Sequence, residues 1–154
     1  MSPSLPDQIR RAFTGPAWHG DALAELLRDV TAAEGAQRPS RAVHTIAELS
    51  GHIGVWVDVA RRRLAGEDVT ARSAENFAAL DTSSPLRWRA AVERLGERHE
   101  LLARAAEALD VARLGEIVPG HDFSAADMLH GVVEHAAYHG GQIALLRNLI
   151  RAAR

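Results

Sequence analysis

The chain of 154 residues contains no cysteine, which excludes disulfides, thiolate metal ligands and a cysteine nucleophile. It contains no lysine either. All eighteen basic residues are arginine, so Schiff-base and lysine-base chemistry are excluded as well. Covalent chemistry is left to Ser, Thr, Tyr, Asp, Glu or His, or to a water or thiol brought in from outside. Neither sign of charge dominates: the net charge is −2, and a nucleic-acid role has little electrostatic support. No apolar run nears the length of a membrane span, and the opening MSPSLPDQIRRAF lacks an apolar leader core. A cytoplasmic protein with no membrane and no nucleic-acid partner is expected.

What is present is an ordinary globular balance, 47% apolar and 25% charged, which suits one domain over residues 1–154. Four segments carry helical periodicity and none reads as a strand. The first spans about Trp18 to Ala33, after a break at Thr14-Gly15-Pro16, with a short helix from Asp7 to Phe13 before it. The second opens on Thr45-Ile46-Ala47-Glu48, a capping-box pattern, and runs to about Ala65. The third starts near Pro85, a favoured first-turn residue, and runs to about Leu109. The fourth follows an N-cap at Ser124 and runs to the end. The link from Gly66 to Ser84 is long for adjacent antiparallel helices and has room for a helical piece near Ala74 to Leu80. The expected fold is all-α: a four-helix bundle with a long crossover link between its second and third helices.

The last helix carries three histidines in HGVVEHAAYHGG. At about 100° per residue, Met128, Val132, Ile143, Leu146 and Ile150 form one apolar stripe, and His135 and His139 fall inside it. His130 falls on the opposite side and reads as a surface residue. Two imidazoles one turn apart on one face either share a metal ion or are core histidines satisfied by hydrogen bonds. A usable site needs a third protein ligand. His52 on the second helix is the leading candidate. It sits about 20 Å from its helix's C-terminal end, and the His135/His139 pair about 20 Å from its helix's N-terminal end, so antiparallel packing matches their heights. The alternative for His52 is a half-buried polar residue.

Other positions stand around this core. His99 shares the stripe of the third helix with Trp88, Val92, Leu95 and Leu102, and reads as a fourth ligand, a partner behind the ligands or a core histidine. Trp56 would wall a pocket or fill core. Gln142, near one turn beyond His139, would orient a ligand, hold a ligating histidine or face solvent. His19, beside Trp18, would line a pocket mouth or lie on the surface. His44 and His121 carry no pattern, and Glu134 and Tyr138 lie to one side of the stripe.

HTIAELSGHIGVW on the second helix and MLHGVVEHAAYHGGQIALLR on the fourth resemble the DinB/YfiT-like superfamily of bacterial helical bundles. Its motif is one histidine on the second helix and a His-x3-His pair on the last, followed by Gly-Gln. Here these positions hold His52, His135, His139 and Gly141-Gln142. GPAWHGDALAELL and RRRLAG extend the likeness over nearly the whole chain. The resemblance implies a divalent metal, zinc or nickel in type, held by His52, His135 and His139, and a homodimer. It implies a metal-dependent enzyme on a small-molecule substrate: a thiol S-transferase using bacillithiol or mycothiol, or a hydrolase. The nucleophile would be a metal-bound water or thiol, and no catalytic side chain is assigned. The alternatives are a non-catalytic metal- or ligand-binding dimer active in stress response, and a helical interaction module with core histidines only.

Overall fold

A computed structural model describes residues 3–153. These form α1 (Leu5–Thr14), α2 (Leu23–Leu27), α3 (Ala32–Ala36), α4 (Ile46–Leu64), α5 (Ser73–Asn76), α6 (Pro85–Glu107), α7 (Val111–Leu114) and α8 (Ala125–Ala152), with no strand among the described residues. Helices α1, α4, α6 and α8 make a helical bundle. Each packs against two of the others, in the ring α1–α6–α4–α8.

The long helices begin where their caps dictate. Thr45 Oγ1 accepts the Glu48 amide and Glu48 returns a bond to the Thr45 amide. Ser124 and Asp127 do the same for α8. Ser84 caps α6 with Pro85 in the first turn. Each such cap stabilises its helix by about 1 kcal/mol. Behind them lies one apolar core, with Ile9, Ile46, Ile53, Leu102, Leu129 and Ile143 fully enclosed. Burying each of these side chains contributes about 1.5–3 kcal/mol.

The first expected helix is corrected. The segment from Trp18 to Ala33 is not one helix but two single-turn pieces, α2 and α3, and the short helix before it, α1, takes the place in the bundle. The break has a local cause. Glu34 bonds back to the Thr31 amide and Thr31 Oγ1 accepts the Glu34 amide, a cap that starts a new helix at Ala32. The Val30 carbonyl, which a continuous helix would use internally, accepts the Trp88 indole N–H at 2.7 Å. Arg151 then ties this corner to α8, reaching Glu34 and Asp29 at 3.0 Å. That guanidinium, with the Thr31 bonds, holds the Glu34 carboxyl down at about 2.

Two features place the helices around the site. Helices α4 and α8 run antiparallel: His52 faces His135, while Arg63 faces Met128 and Phe123, earlier in the sequence. The link after α4 runs back along it, and the Leu80 amide donates to the Ala47 carbonyl at 3.0 Å, near the N-terminal end of α4. The link lies so close that a Cβ at Gly51 would sit 1.9 Å from the Ala78 carbonyl oxygen. Only glycine leaves room for that approach.

Candidate metal centre

The facing surfaces of α4 and α8 bring His52, His135 and His139 together. One ring nitrogen of each lies within 4.8 Å of the others. His52 and His139 are buried and His135 is half-buried. His135 and His139 project from successive turns of α8, with ring centroids 4.5 Å apart, and His52 lies 4.8 Å from each.

Each end of this triad is held from behind. His52 Nδ1–H donates to the Asn76 carbonyl at 2.6 Å, and its ring stacks on Phe77 at 4.0 Å. Phe77 in turn stacks on His44 at 3.8 Å, so the phenyl ring is sandwiched between two imidazoles. The Asn76 side chain accepts the Trp56 indole N–H at 3.0 Å. His139 Nδ1–H donates to Gln142 Oε1 at 2.7 Å. With their Nδ1 protons committed to carbonyl oxygens, His52 and His139 keep an unprotonated Nε2. His135 Nε2–H then donates to His52 Nε2 at 3.0 Å.

Burial disfavours the charged form of His135 and His139. It pushes His135 down to about 4, helped by the neighbouring charges that His139 and His52 would carry. Burial also lowers His139, against the opposing pull of the Gln142 bond. Neutral imidazoles with fixed tautomers are the form in which histidine binds a cation. The three nitrogens therefore suit a divalent ion, and the shared proton between His135 and His52 is the one such an ion would replace. Imidazole donors accommodate Zn, Ni, Cu and Fe alike.

The triad opens on a cavity of about 470 Å³ between α4 and α8. Trp56, Ala60, Met128 and Val132 give it apolar walls, Tyr138 stands at the rim 66% exposed, and Arg63 lies at the far side. No carboxylate lines it among the described residues. Trp56 is among the residues lining this cavity. Gln142 does not line the cavity, but supports a histidine that does.

The other candidates are elsewhere. His99 is sealed between α1 and α6, donates Nδ1–H to the Leu95 carbonyl at 2.8 Å and packs on Phe13. It is a core histidine and does not reach the cavity. His19 is exposed and lines a separate surface hollow with Trp18, Pro16 and Arg11. His130 and Glu134 are exposed.

The sequence reading missed Asn76, Phe77 and Arg63. Asn76 and Phe77 come from a short link element with no periodic relation to His52, and no local pattern marks them. Arg63 did carry a signal: eleven residues, about three turns, put it on the same face of α4 as His52.

Fold and site together define a helical-bundle protein with a buried histidine triad that could hold a divalent metal. The model of the DinB superfamily matches residues 17–143, most of the chain, and the chain belongs to that superfamily. No curated protein and no solved structure gives a match. Among the described residues, no helix is long and apolar enough to cross a membrane.

Proposed function

We propose that this DinB-superfamily chain is a divalent-metal protein in which His52, His135 and His139 hold the ion, and that the adjoining cavity takes a small-molecule substrate. The observation that carries the reading is the convergence of three imidazole nitrogens within 4.8 Å, two with their Nδ1 protons tied to carbonyls, at the wall of a cavity large enough for a small ligand. The ion, zinc or nickel in type, would supply Lewis acidity and lower the pKa of a coordinated water or thiol.

The chain's own residues do the rest. Asn76 and Gln142 fix the ring orientations of His52 and His139. Trp56, Met128 and Val132 keep bulk water away from one side of the triad. Tyr138 stands exposed beside His139 at the opening. Because no carboxylate lines the cavity among the described residues, the chain offers no acidic general base there. Either a thiol delivered by a co-substrate, as in S-transfer from bacillithiol or mycothiol, or a water in hydrolysis would then lose its proton through the ion's Lewis acidity rather than to a side chain. The same observation supports the second reading, a non-catalytic metal or ligand binder active in stress response.

A conjugation assay with a haloarene electrophile, run with each thiol and with no thiol, tests the first reading. Thiol-dependent turnover that disappears in His135→Ala supports a transferase. Absence of turnover with any thiol or ester, on protein shown to carry metal, supports the binder. A homodimer completes the reading through the family resemblance, and sedimentation at micromolar concentration tests it.

A further inference from the structure

The cavity has two poles, and only one is explained by a metal. Arg63 stands at the other, on the face of α4 that carries His52 and Trp56. The residue is 7% exposed, yet it lines the cavity. Its Nε donates to the Val69 carbonyl at 2.8 Å, its one hydrogen bond among the described residues. Its Cζ lies 5.9 Å from the ring centroids of both Trp56 and Phe123. No carboxylate forms an ion pair with it among the described residues; Asp68 acts only at a distance.

Other arginines of this chain behave differently. Arg10 is held by Glu100 and Glu107, Arg62 by Glu67, and Arg151 by Glu34 and Asp29. Those pairs lie where water already screens part of the charge. Arg63 is more enclosed than these three and, unlike them, forms no ion pair with a carboxylate among the described residues. Burying a guanidinium is costly unless its charge and donors are answered. Two π faces and one carbonyl answer part of it. Both terminal amino groups of the planar fork remain without a protein acceptor, and that fork matches a carboxylate or phosphate.

Distance makes the two poles parts of one site. The Trp56 ring centroid lies 6.4 Å from those of His52 and His135, and 5.9 Å from Arg63 Cζ. The guanidinium is therefore no farther from the imidazoles than those two steps end to end, a span that an aromatic ring carrying a short chain crosses. Ala60, Met128 and Val132 supply the apolar wall between.

We propose that the cavity's ligand is an organic anion, with its acid group held by Arg63, its apolar body along Trp56, Met128 and Val132, and its other end at the three imidazoles. Arg63 is thus the specificity-determining residue. The inference deepens the metal-site reading and rests on it only for the imidazole pole.

The test uses the full-length protein, with metal content recorded, both metal-loaded and after chelator treatment. The chelated arm removes direct carboxylate coordination by the ion. Calorimetry or ligand-observed NMR compares 4-phenylbutyrate, 4-phenylbutyl phosphate and neutral 4-phenylbutanol. The acid probes are expected to bind wild type at least about tenfold tighter than the alcohol in both arms, the effect of one charge-assisted contact. In Arg63→Gln that preference should fall to near unity while the alcohol binds as before. Arg63→Lys, which keeps the charge but not the fork, should retain part of it. The carboxylate-to-phosphate ratio says which acid the site prefers. Equal binding of acid and alcohol by wild type, an undiminished preference in Arg63→Gln, or no saturable binding of any probe would overturn the proposal. Absence of metal with the acid preference intact would overturn only the metal reading.

Discussion

His99 and His135 are two histidines that burial pushes to the same value, about 4, in two different surroundings. His99 lies between α1 and α6 at 1% exposure, with one nitrogen bonded to its own helix at Leu95 and the other, Nε2, buried without a partner. His135 lies between α4 and α8, half-buried, with two further imidazoles beside it and a cavity in front. A depressed pKa therefore does not distinguish them; desolvation is the main cause in both. Convergence and access distinguish them. A histidine that stands alone in packed core is a structural polar group. A histidine that meets two others at a cavity wall, with their tautomers fixed from behind, is a ligand set.

The comparison can be broken most sharply by removing one member of each environment. His139→Ala should lower affinity for zinc or nickel by more than about 100-fold, since losing a ligand should exceed the 10–100-fold typical of losing a partner behind one. His99→Leu should leave affinity within about twofold, because its ring reaches no metal position. Competition against a chromophoric chelator reads both. Equal losses in the two variants would erase the distinction.

A second test uses pH on metal-free protein. The His99 pKa is depressed in the fold relative to its ordinary 6.5, so the unfolded chain binds the proton more tightly. His99 thus withdraws stability as pH falls from about 6.5 toward 4, and the loss levels off below that. The full term is about 3 kcal/mol. Urea unfolding at pH 7 and pH 4.5 should show His99→Leu losing less stability on acidification than wild type. An identical acid loss in both would mean that the His99 ring is protonated or solvated in the native state.

A third test acts through the link behind His52. Gly51→Ala places a Cβ against the Ala78 carbonyl and should push the link outward, at about 1–3 kcal/mol of stability. Because Asn76 and Phe77 ride on that link, metal affinity should fall with it. Gly96 makes a comparable approach to Phe13, where a Cβ would lie 2.5 Å from the ring. Gly96→Ala should therefore destabilise the chain with little change in metal affinity. The smallest effect is expected from Gln142→Leu, which leaves the His139 Nδ1 proton without its acceptor. It should weaken metal binding by about tenfold at unchanged melting temperature in metal-free protein.

Much of the architecture was legible because local signals agree with the tertiary result. Thr45 with Glu48, Ser124 and Pro85 mark the starts of α4, α8 and α6. The period of Met128, Val132, Ile143 and Leu146 puts His135 and His139 on the inner face. Matching heights on antiparallel helices then bring in His52. The signals failed where a backbone group is used at long range. The break before α3 depends on the Val30 carbonyl meeting Trp88, which is 58 residues away in sequence. Similarly, the support of His52 comes from a carbonyl and a phenyl ring on a link whose path is set by packing against α4. Helical periodicity carries no information about either. His99 shows the converse failure, since a stripe position marks a residue as inward without saying what it meets there.

The central claim is that His52, His135 and His139 form one metal centre, and metal content tests it most directly. Elemental mass spectrometry on tag-free protein, beside His52→Ala and His139→Ala, should give about one zinc or nickel per chain in wild type and near none in either variant. No metal in wild type after reconstitution with either ion, or a full complement retained in both variants, would contradict it.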